Sequence, residues 1–587
     1  MSYLKKARYQ KKTASKNNNT GIMTKLILTF FLSAVLASPA IAENYLTNGE
    51  QESQISFQMV QKIAPIPSAQ KLMLSFIVPV SFSSPTYSQK ITKVDFSFKP
   101  TPWKQVDKND HRGNKVVEVT WQSPTTSITT AVRFTAVTSV KLQKLMTNTP
   151  FPIPELPKTA TVYLKATKQV AATDENIRAK ANQLTHSSET EFDAVQQILT
   201  WLVDHMHYIL NPPSFEALYA FRSGKGNCQN YSHLAAALMR AVGIPVRIVN
   251  GIALKEPYDI GVGNTLLTLK MAQGRHSWIE VYFPDLGWVP FDPAGTELFV
   301  SNRLIRAEIG LDNNETRQDG LIRWTNKPGT SAIPQFKESI DAVFVADRIN
   351  LSAQKTNYGP RKLLLSPRVE TVFSKVSLAP PLPIPQQLPE NVLKRLGYTE
   401  PYVFGNLEFP QNVDFLAARG AAQQNAAGTM EMRKNFLVET AEYVTTQGKQ
   451  YAQTFILTKP LQLEKIGLAL HKFGGQGQIW LELFKDNGGK PGTYIGTSDI
   501  IDLSQLGYTP GYTWVDFAFN KTSNTLSPGR YWMAFGFTGS PVINWFFSYG
   551  KPIGPQDGTR YKTLFDEDWS RSLSYEFNYR VVGLSPK

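Results

Sequence analysis

The sequence predicts an α+β chain in which a mixed core of helices and strands is flanked by two all-β regions. Alternating apolar residues mark strands towards both ends, as in Val94-Asp-Phe96-Ser-Phe98 and Ile479-Trp-Leu481-Glu-Leu483. Between them the period becomes helical, with Phe192, Val195, Ile198, Leu199, Leu202 and Val203 on one face. Proline-rich stretches, Pro150 to Pro157 and Leu378 to Pro385, punctuate the chain on either side of the core. A length of 587 residues accommodates several such units.

The first segment, residues 1–42, reads as a secretory signal. Lys25 precedes a short apolar run, Leu26 to Leu36, and Ala40-Ile-Ala42 supplies a small-residue cleavage site before Glu43. Met23 is an alternative start. The apolar run is too short to favour a stable membrane span, so no span is expected after cleavage and the protein is expected in the periplasm, secreted or at the cell surface. The formal net charge is +15, but residues 1–42 hold seven basic residues and no acidic one, which leaves +8 for the rest. That balance suits anionic surface polymers; without a dense Lys/Arg block, nucleic acid is not an expected partner.

Residues 43–165 are expected to form an N-terminal β-sandwich. Val117 to Trp121 and Val132 to Ala136 alternate, and Thr161-Val-Tyr-Leu164 reads as a further strand. From Thr173 the chain turns helical, and Ser188-Glu-Thr-Glu191 carries a capping-box pattern.

The stretch Gly224 to Asp292 holds the candidate chemistry. Cys228, the single cysteine of the chain, precedes Leu234, Ala235, Leu238, Met239 and Val242 at helical spacing, with Gly243 and Pro245 as stop signals. A thiol at a helix start faces unpaired backbone N–H groups and the positive end of the dipole, where thiol pKa values fall to roughly 3.5–7.5. Downstream, His276-Ser-Trp278-Ile-Glu280-Val-Tyr282-Phe alternates as a strand, Pro284 to Gly287 forms a turn, and Trp288 to Asp292 runs back. Neighbouring strands lie about 4.8 Å apart, so Asp292 is within reach of His276. Thiol, imidazole and carboxylate together suit acyl transfer through a thioester.

The order Gly-x-Cys228, helix, Leu-Met-Arg240-Ala-Val-Gly-Ile-Pro245-Val-Arg247, insertion, His276-x-Trp-x-Glu-Val-Tyr and Gly287-Trp-x-Pro-Phe-Asp292-Pro resembles the transglutaminase-like superfamily. The resemblance covers about residues 165–300. It implies a papain-like transglutaminase core with Cys228 as nucleophile, His276 as base and Asp292 as its orienter, acting on a protein or peptide substrate. The fate of the thioester separates two activities: water makes a cysteine hydrolase of peptide or isopeptide amides, and a lysine amine makes a cross-linking acyltransferase. A core that has lost turnover would leave a binding or assembly protein. No metal, nucleotide or haem cofactor is expected; His205 and His207 fall on nearly opposite helix faces.

The catalytic domain is expected over residues 166–375, with a glycine-rich insertion between Gly251 and Gly274 as a rim loop or surface hairpin and residues 300–375 as a β extension of the core. Residues 376–449 read as a Pro-rich and polar linker. Residues 450–587 alternate again and resemble a jelly-roll-like β-sandwich. Five of the eleven tryptophans (Trp480, Trp514, Trp532, Trp545, Trp569) lie there, expected mostly as core, with a cell-surface glycan or envelope polymer as the candidate partner if they are exposed. The Asp486 to Gly492 loop is open to two readings, a calcium loop or a tight turn.

Overall fold

The computed structural model describes residues 44–143, 145–296, 298–356, 365–366, 369–370, 385–407, 422–433, 441–446, 448–508, 511–520, 525–548, 558–563 and 565–587. The expected signal segment and the run Leu378 to Ile384 lie outside these residues. Strands dominate, and among the described residues no helix is long and apolar enough to cross a membrane.

The first β region consists of two sheets that share one apolar core. Asn44–Ile63 pairs on one side with Ile128–Leu142 and on the other with Phe336–Thr356. Ala69–Val78 pairs with Lys115–Gln122 and with Leu321–Asn326. The inward residues of both sheets, among them Phe57, Met59, Leu72, Leu74, Val119, Trp121 and Phe134, form a single cluster. Period-two alternation lets one face of each strand be apolar, and burying both apolar faces against each other removes them from water.

Two expectations are corrected here. Thr161 to Leu164 is not a strand: Lys158–Thr161 and Val162–Leu164 are short helical turns. Burial of Ala160 and Tyr163, three residues apart, explains the helical period, and Tyr163 packs edge-on against Trp288 at 5.1 Å. Residues 300–375 are also not a plain extension of the core. Among the described residues only Leu304–Gly310 joins the core sheet, whereas Leu321–Asn326 and Phe336–Thr356 return to the first β region. Alternation specifies a strand but not its partner, so this non-local pairing is invisible in the local pattern.

The core stacks helices on a four-stranded antiparallel sheet in the order Gly287–Phe291, Gly274–Phe283, Val246–Ala253, Leu304–Gly310. Cys228–Ala241 is the central helix, buried nearly all round by Glu175–Thr185, Glu191–His205, Ala217–Ser223 and the sheet. The cap of Glu191–His205 is Thr190 rather than Ser188; its hydroxyl accepts the Asp193 N–H at 3.2 Å.

The insertion after Gly251 is a hairpin, Tyr258–Val262 with Thr265–Leu269, whose Tyr258, Ile260 and Leu267 are buried. One edge bridges to Ser352 of the first β region and the other pairs with Arg571–Leu573 of the second. It is therefore a structural joint and not a free rim loop. The expected linker likewise supplies strands: Met430–Arg433 adds to Leu321–Asn326, while Tyr398–Gly405 and Ala441–Tyr443 join the second β region. That region also has two sheets over one core, built from residues such as Phe455, Leu468, Leu481, Phe517, Trp545 and Phe577.

Candidate active site

The motif Gly224-Lys-Gly226-Asn227-Cys228 builds the start of the central helix residue by residue. Gly224 ends the preceding helix in the left-handed conformation, φ 64°, which a side chain disfavours. At Gly226 any Cβ would occupy the space of the Asn230 side chain. That space matters because Asn230 Oδ1 accepts the Asn227 N–H at 3.2 Å while Asn227 Oδ1 accepts the Gln229 N–H at 3.1 Å. The two asparagines make a reciprocal cap, and Cys228 is the first residue inside it.

His276 enters from the strand Gly274–Phe283, two residues before Trp278, whose indole is fully buried and lies 6.0 Å from the imidazole, ring to ring. The return strand pairs as far as Ile279 with Phe291 and stops, which leaves the histidine end of the strand open on that side. Asp292 follows directly. Its Oδ2 lies 2.9 Å from His276 Nε2, and its Oδ1 accepts the Ala294 N–H at 3.3 Å. Gly295 has no side chain to collide with that carboxylate, 2.6 Å from where a Cβ would stand.

With Nε2 engaged by Asp292, Nδ1 is left for the Cys228 thiol, which hydrogen-bonds to the His276 side chain and meets the Ser277 backbone. The structure thus brings Cys228, His276 and Asp292 into one line of contacts. Burial alone would raise the Cys228 pKa; the hydrogen bond and charge of His276, with the Ser277 backbone, outweigh it and hold the thiol below its ordinary value. Burial would lower the His276 pKa, but the Asp292 charge and hydrogen bond, then those of Cys228, lift it to about 10. Both shifts favour the same state, thiolate beside imidazolium. Asp292 is wholly buried, whereas the His276 side chain keeps 13% of its surface exposed and Cys228 8%. The group is shielded but reachable.

Sequence reading did not single out what holds the far end of the histidine strand. Glu280, fully buried, is bonded by Arg247 and by Arg306, the latter at 2.7 Å. Arg247 lies 4.2 Å from the Trp288 ring and Arg306 4.4 Å from that of Phe82. Glu280 at alternation with His276 was the available signal, but the partner arginines sit on other strands.

His233 is buried away from the thiol, its Nδ1 2.7 Å from the Phe215 carbonyl and its Nε2 accepting the Asn313 N–H at 3.2 Å. Among the described residues no cluster of three or more His, Cys, Asp or Glu could hold a metal ion. At Asp486 the carboxylate accepts from Gly489 N–H at 3.2 Å and from the Trp532 indole at 2.7 Å, the pattern of a tight turn. Trp532, Trp545 and Trp569 are buried, so those three rings are core.

Residues 178–293 match the family profile described as the transglutaminase-like superfamily. Over 127 residues the chain is 31% identical to the uncharacterized protein YebA of Bacillus subtilis, an alignment covering 20% of this chain and 17% of that protein. Over 90 residues it is 34% identical to a protein-glutamine gamma-glutamyltransferase of Pseudomonas aeruginosa, covering 15% of this chain and 13% of that one. Among solved structures it is similar to a proposed cysteine protease from Cytophaga hutchinsonii, at 17% identity and a TM-score of 0.34, covering 54% of this chain and 95% of that one. The chain spans less than half the length of the curated relatives it matches. Residues 178–293, the core that carries Cys228, His276 and Asp292, are thus transglutaminase-like.

Proposed function

We propose that the protein is an exported cysteine hydrolase that cleaves peptide or isopeptide amides, with Cys228 as nucleophile, His276 as acid and base, and Asp292 holding the imidazole. The observation that carries this reading is the unbroken contact from Asp292 through His276 to a thiol in the first turn of a helix. Export rests on the signal pattern of residues 1–42. We further read the two β regions as sandwiches flanking a papain-like core.

The steps follow from the charge state. The thiolate attacks the carbonyl carbon and forms the C–S bond; developing negative charge on oxygen falls near the helix start, where backbone N–H groups point outwards. As the C–N bond breaks, His276 gives its proton to the departing amine. The neutral imidazole then takes a proton from water, whose oxygen displaces sulfur and returns the thiolate. Asp292, through its contact with Nε2, fixes which ring nitrogen faces the sulfur.

A second reading is acyl transfer to a primary amine, favoured by the 34% identity to a protein-glutamine gamma-glutamyltransferase over 90 residues. One experiment separates them: a glutamine-containing peptide is incubated with and without a primary amine and the products are weighed by mass spectrometry. Free acid as the main product in both arms supports hydrolysis. Amine adducts as the main product overturn it. Alkylation of Cys228 across pH tests the reading beneath both, since a thiol that reacts only near its unperturbed pKa of about 8.5 would leave a binding protein.

A further inference from the structure

Residues 311–320 join the strands Leu304–Gly310 and Leu321–Asn326, and they are bonded both to the helix that carries Cys228 and to the strand that carries His276. On the helix, His233 and Arg240 stand seven residues apart, two turns along one face. His233 Nε2 accepts the Asn313 N–H at 3.2 Å, and Arg240 Nη2 donates to the Leu311 carbonyl at 2.7 Å. On the strand, the two residues that flank His276 are held by the same segment. Arg275 Nε lies 2.9 Å from the Asp319 carboxylate, and the Ser277 hydroxyl donates to Asn313 Oδ1 at 3.2 Å. Asn313 thus reaches the helix with its main chain and the strand with its side chain.

Hydrogen bonds inside the segment stiffen it. Asp312 Oδ1 accepts the N–H groups of Asn314 at 2.9 Å and Glu315 at 3.1 Å, and the Glu315 carboxylate accepts the Leu311 N–H at 2.8 Å. Asn313 Nδ2 donates to Thr316 Oγ1 at 2.9 Å, which fixes the amide with Oδ1 towards Ser277. His233 gives its other ring nitrogen to the Phe215 carbonyl, so Nε2 is the acceptor, and burial lowers its pKa to about 4, which keeps the ring neutral. Ser277, Asn313 and His233 are all buried, so water does not replace a bond lost among them.

Resting on the thiol chemistry proposed above, we propose that Asn313 is a positioning residue for that reaction, fixing the separation of sulfur and imidazole by holding Ser277, the neighbour of His276, against the helix that carries Cys228. Ser277 is where the effect enters the site, because its backbone also hydrogen-bonds the Cys228 sulfur. Without the Asn313 side chain the buried Ser277 hydroxyl loses this acceptor, and the strand shifts where it meets the thiol. A displacement of about 1 Å in such a site costs up to 10²-fold in rate. Asn313 acts on the alignment of the reacting groups, so its loss is read in kcat and in the ionisation of the thiol and leaves KM in place.

Cys228 is the single cysteine of the chain, so alkylation by iodoacetamide reports on it alone. The rate is measured against pH for the full chain and for Asn313→Ala, Ser277→Ala and the double variant. The parent midpoint should lie well below the unperturbed value of about 8.5. Each single variant should raise it by about one unit, a tenfold change in thiolate, and the double variant no further, since both substitutions remove one bond. Turnover of a peptide amide should fall roughly ten- to hundredfold in kcat with KM unchanged. A parent midpoint near 8.5 overturns the thiol reading. A depressed parent midpoint that neither variant moves overturns the positioning role alone, even where both variants melt at lower temperature, and so does an additive shift in the double variant. Should Asn313→Ala fail to fold, Ser277→Ala decides by the same shift or its absence.

Discussion

The strand Gly274–Phe283 carries two buried charged groupings four residues apart, and they are built on opposite principles. At Glu280 a carboxylate lies between two arginines, Arg247 and Arg306, whose guanidinium groups stay protonated at any physiological pH. At His276 the carboxylate of Asp292 faces an imidazole, which in turn faces a thiol, and each of these two can give up or take a proton. The first arrangement fixes geometry because nothing in it titrates. The second is partly open to solvent and balanced between charge states. A single strand can therefore hold its reactive end in register by means of an inert one.

The contrast is broken most severely at the sulfur. Cys228→Ala should reduce peptide turnover by about 10⁴-fold or more while leaving the circular dichroism spectrum unchanged; retained turnover would remove the nucleophile from the proposal. Asp292→Asn comes next. It should reduce turnover by roughly 10²–10⁴-fold and also change its pH profile. In the parent protein the imidazolium persists below a pKa of about 10, so turnover should plateau from below the ordinary thiol range and fall as pH rises through about 10. Removing the Asp292 charge removes the main cause that raises that pKa, so the upper limb should move down towards the unperturbed histidine value of about 6.5. An unmoved upper limb would show that Asp292 does not set the imidazole's charge.

At the inert end the expected effect is on stability. Glu280→Gln leaves two buried guanidinium groups without a counter-charge and should destabilise by about 3–5 kcal/mol in chemical denaturation, with the pH profile of the remaining folded enzyme unchanged. Gly251→Ala tests the link between the two ends. Gly251 pairs with His276 across the sheet, and an added Cβ would run into the Trp278 ring and the Ile305 carbonyl. A loss of about 1–3 kcal/mol is expected, together with reduced turnover as Trp278 shifts against the imidazole. The smallest effect is Thr190→Ala, which removes a helix cap far from the chemistry and should cost about 1 kcal/mol with no change in kcat.

What could be read from the sequence depended on whether the signal was local. Alternation of large apolar with small or polar residues located the strands around Phe96, Val119, Phe134, Ile466, Leu481 and Met533, even where, as around Ile466 and Met533, both faces are buried. The start of the cysteine helix and the hairpin that brings Asp292 back to His276 lie within short stretches, so spacing was enough to place them. Tyr163 misled because β-branched and aromatic neighbours suggest a strand, whereas it sits in a helical turn and packs edge-on against Trp288. Partners were out of reach altogether: Phe336–Thr356 alternates well, but nothing in it says that it pairs with Asn44–Ile63, nearly 300 residues earlier. The same holds for Arg247 and Arg306 meeting on Glu280, and for Leu210 meeting Ala469 and Phe546.

The long reach of these pairings has a kinetic consequence. Asn44–Ile63 gains its second antiparallel partner only when residues 336–356 are present, and Leu461–Gly474 is completed by Tyr579–Pro586. Contacts so distant along the chain form slowly, because loop closure must precede any gain from them. A polypeptide still emerging from a ribosome therefore lacks the outer strands that hold the hairpin Tyr258–Leu269 in place. The strands that flank the core on both sides of that hairpin are then the last part of the surroundings of Cys228 to be completed.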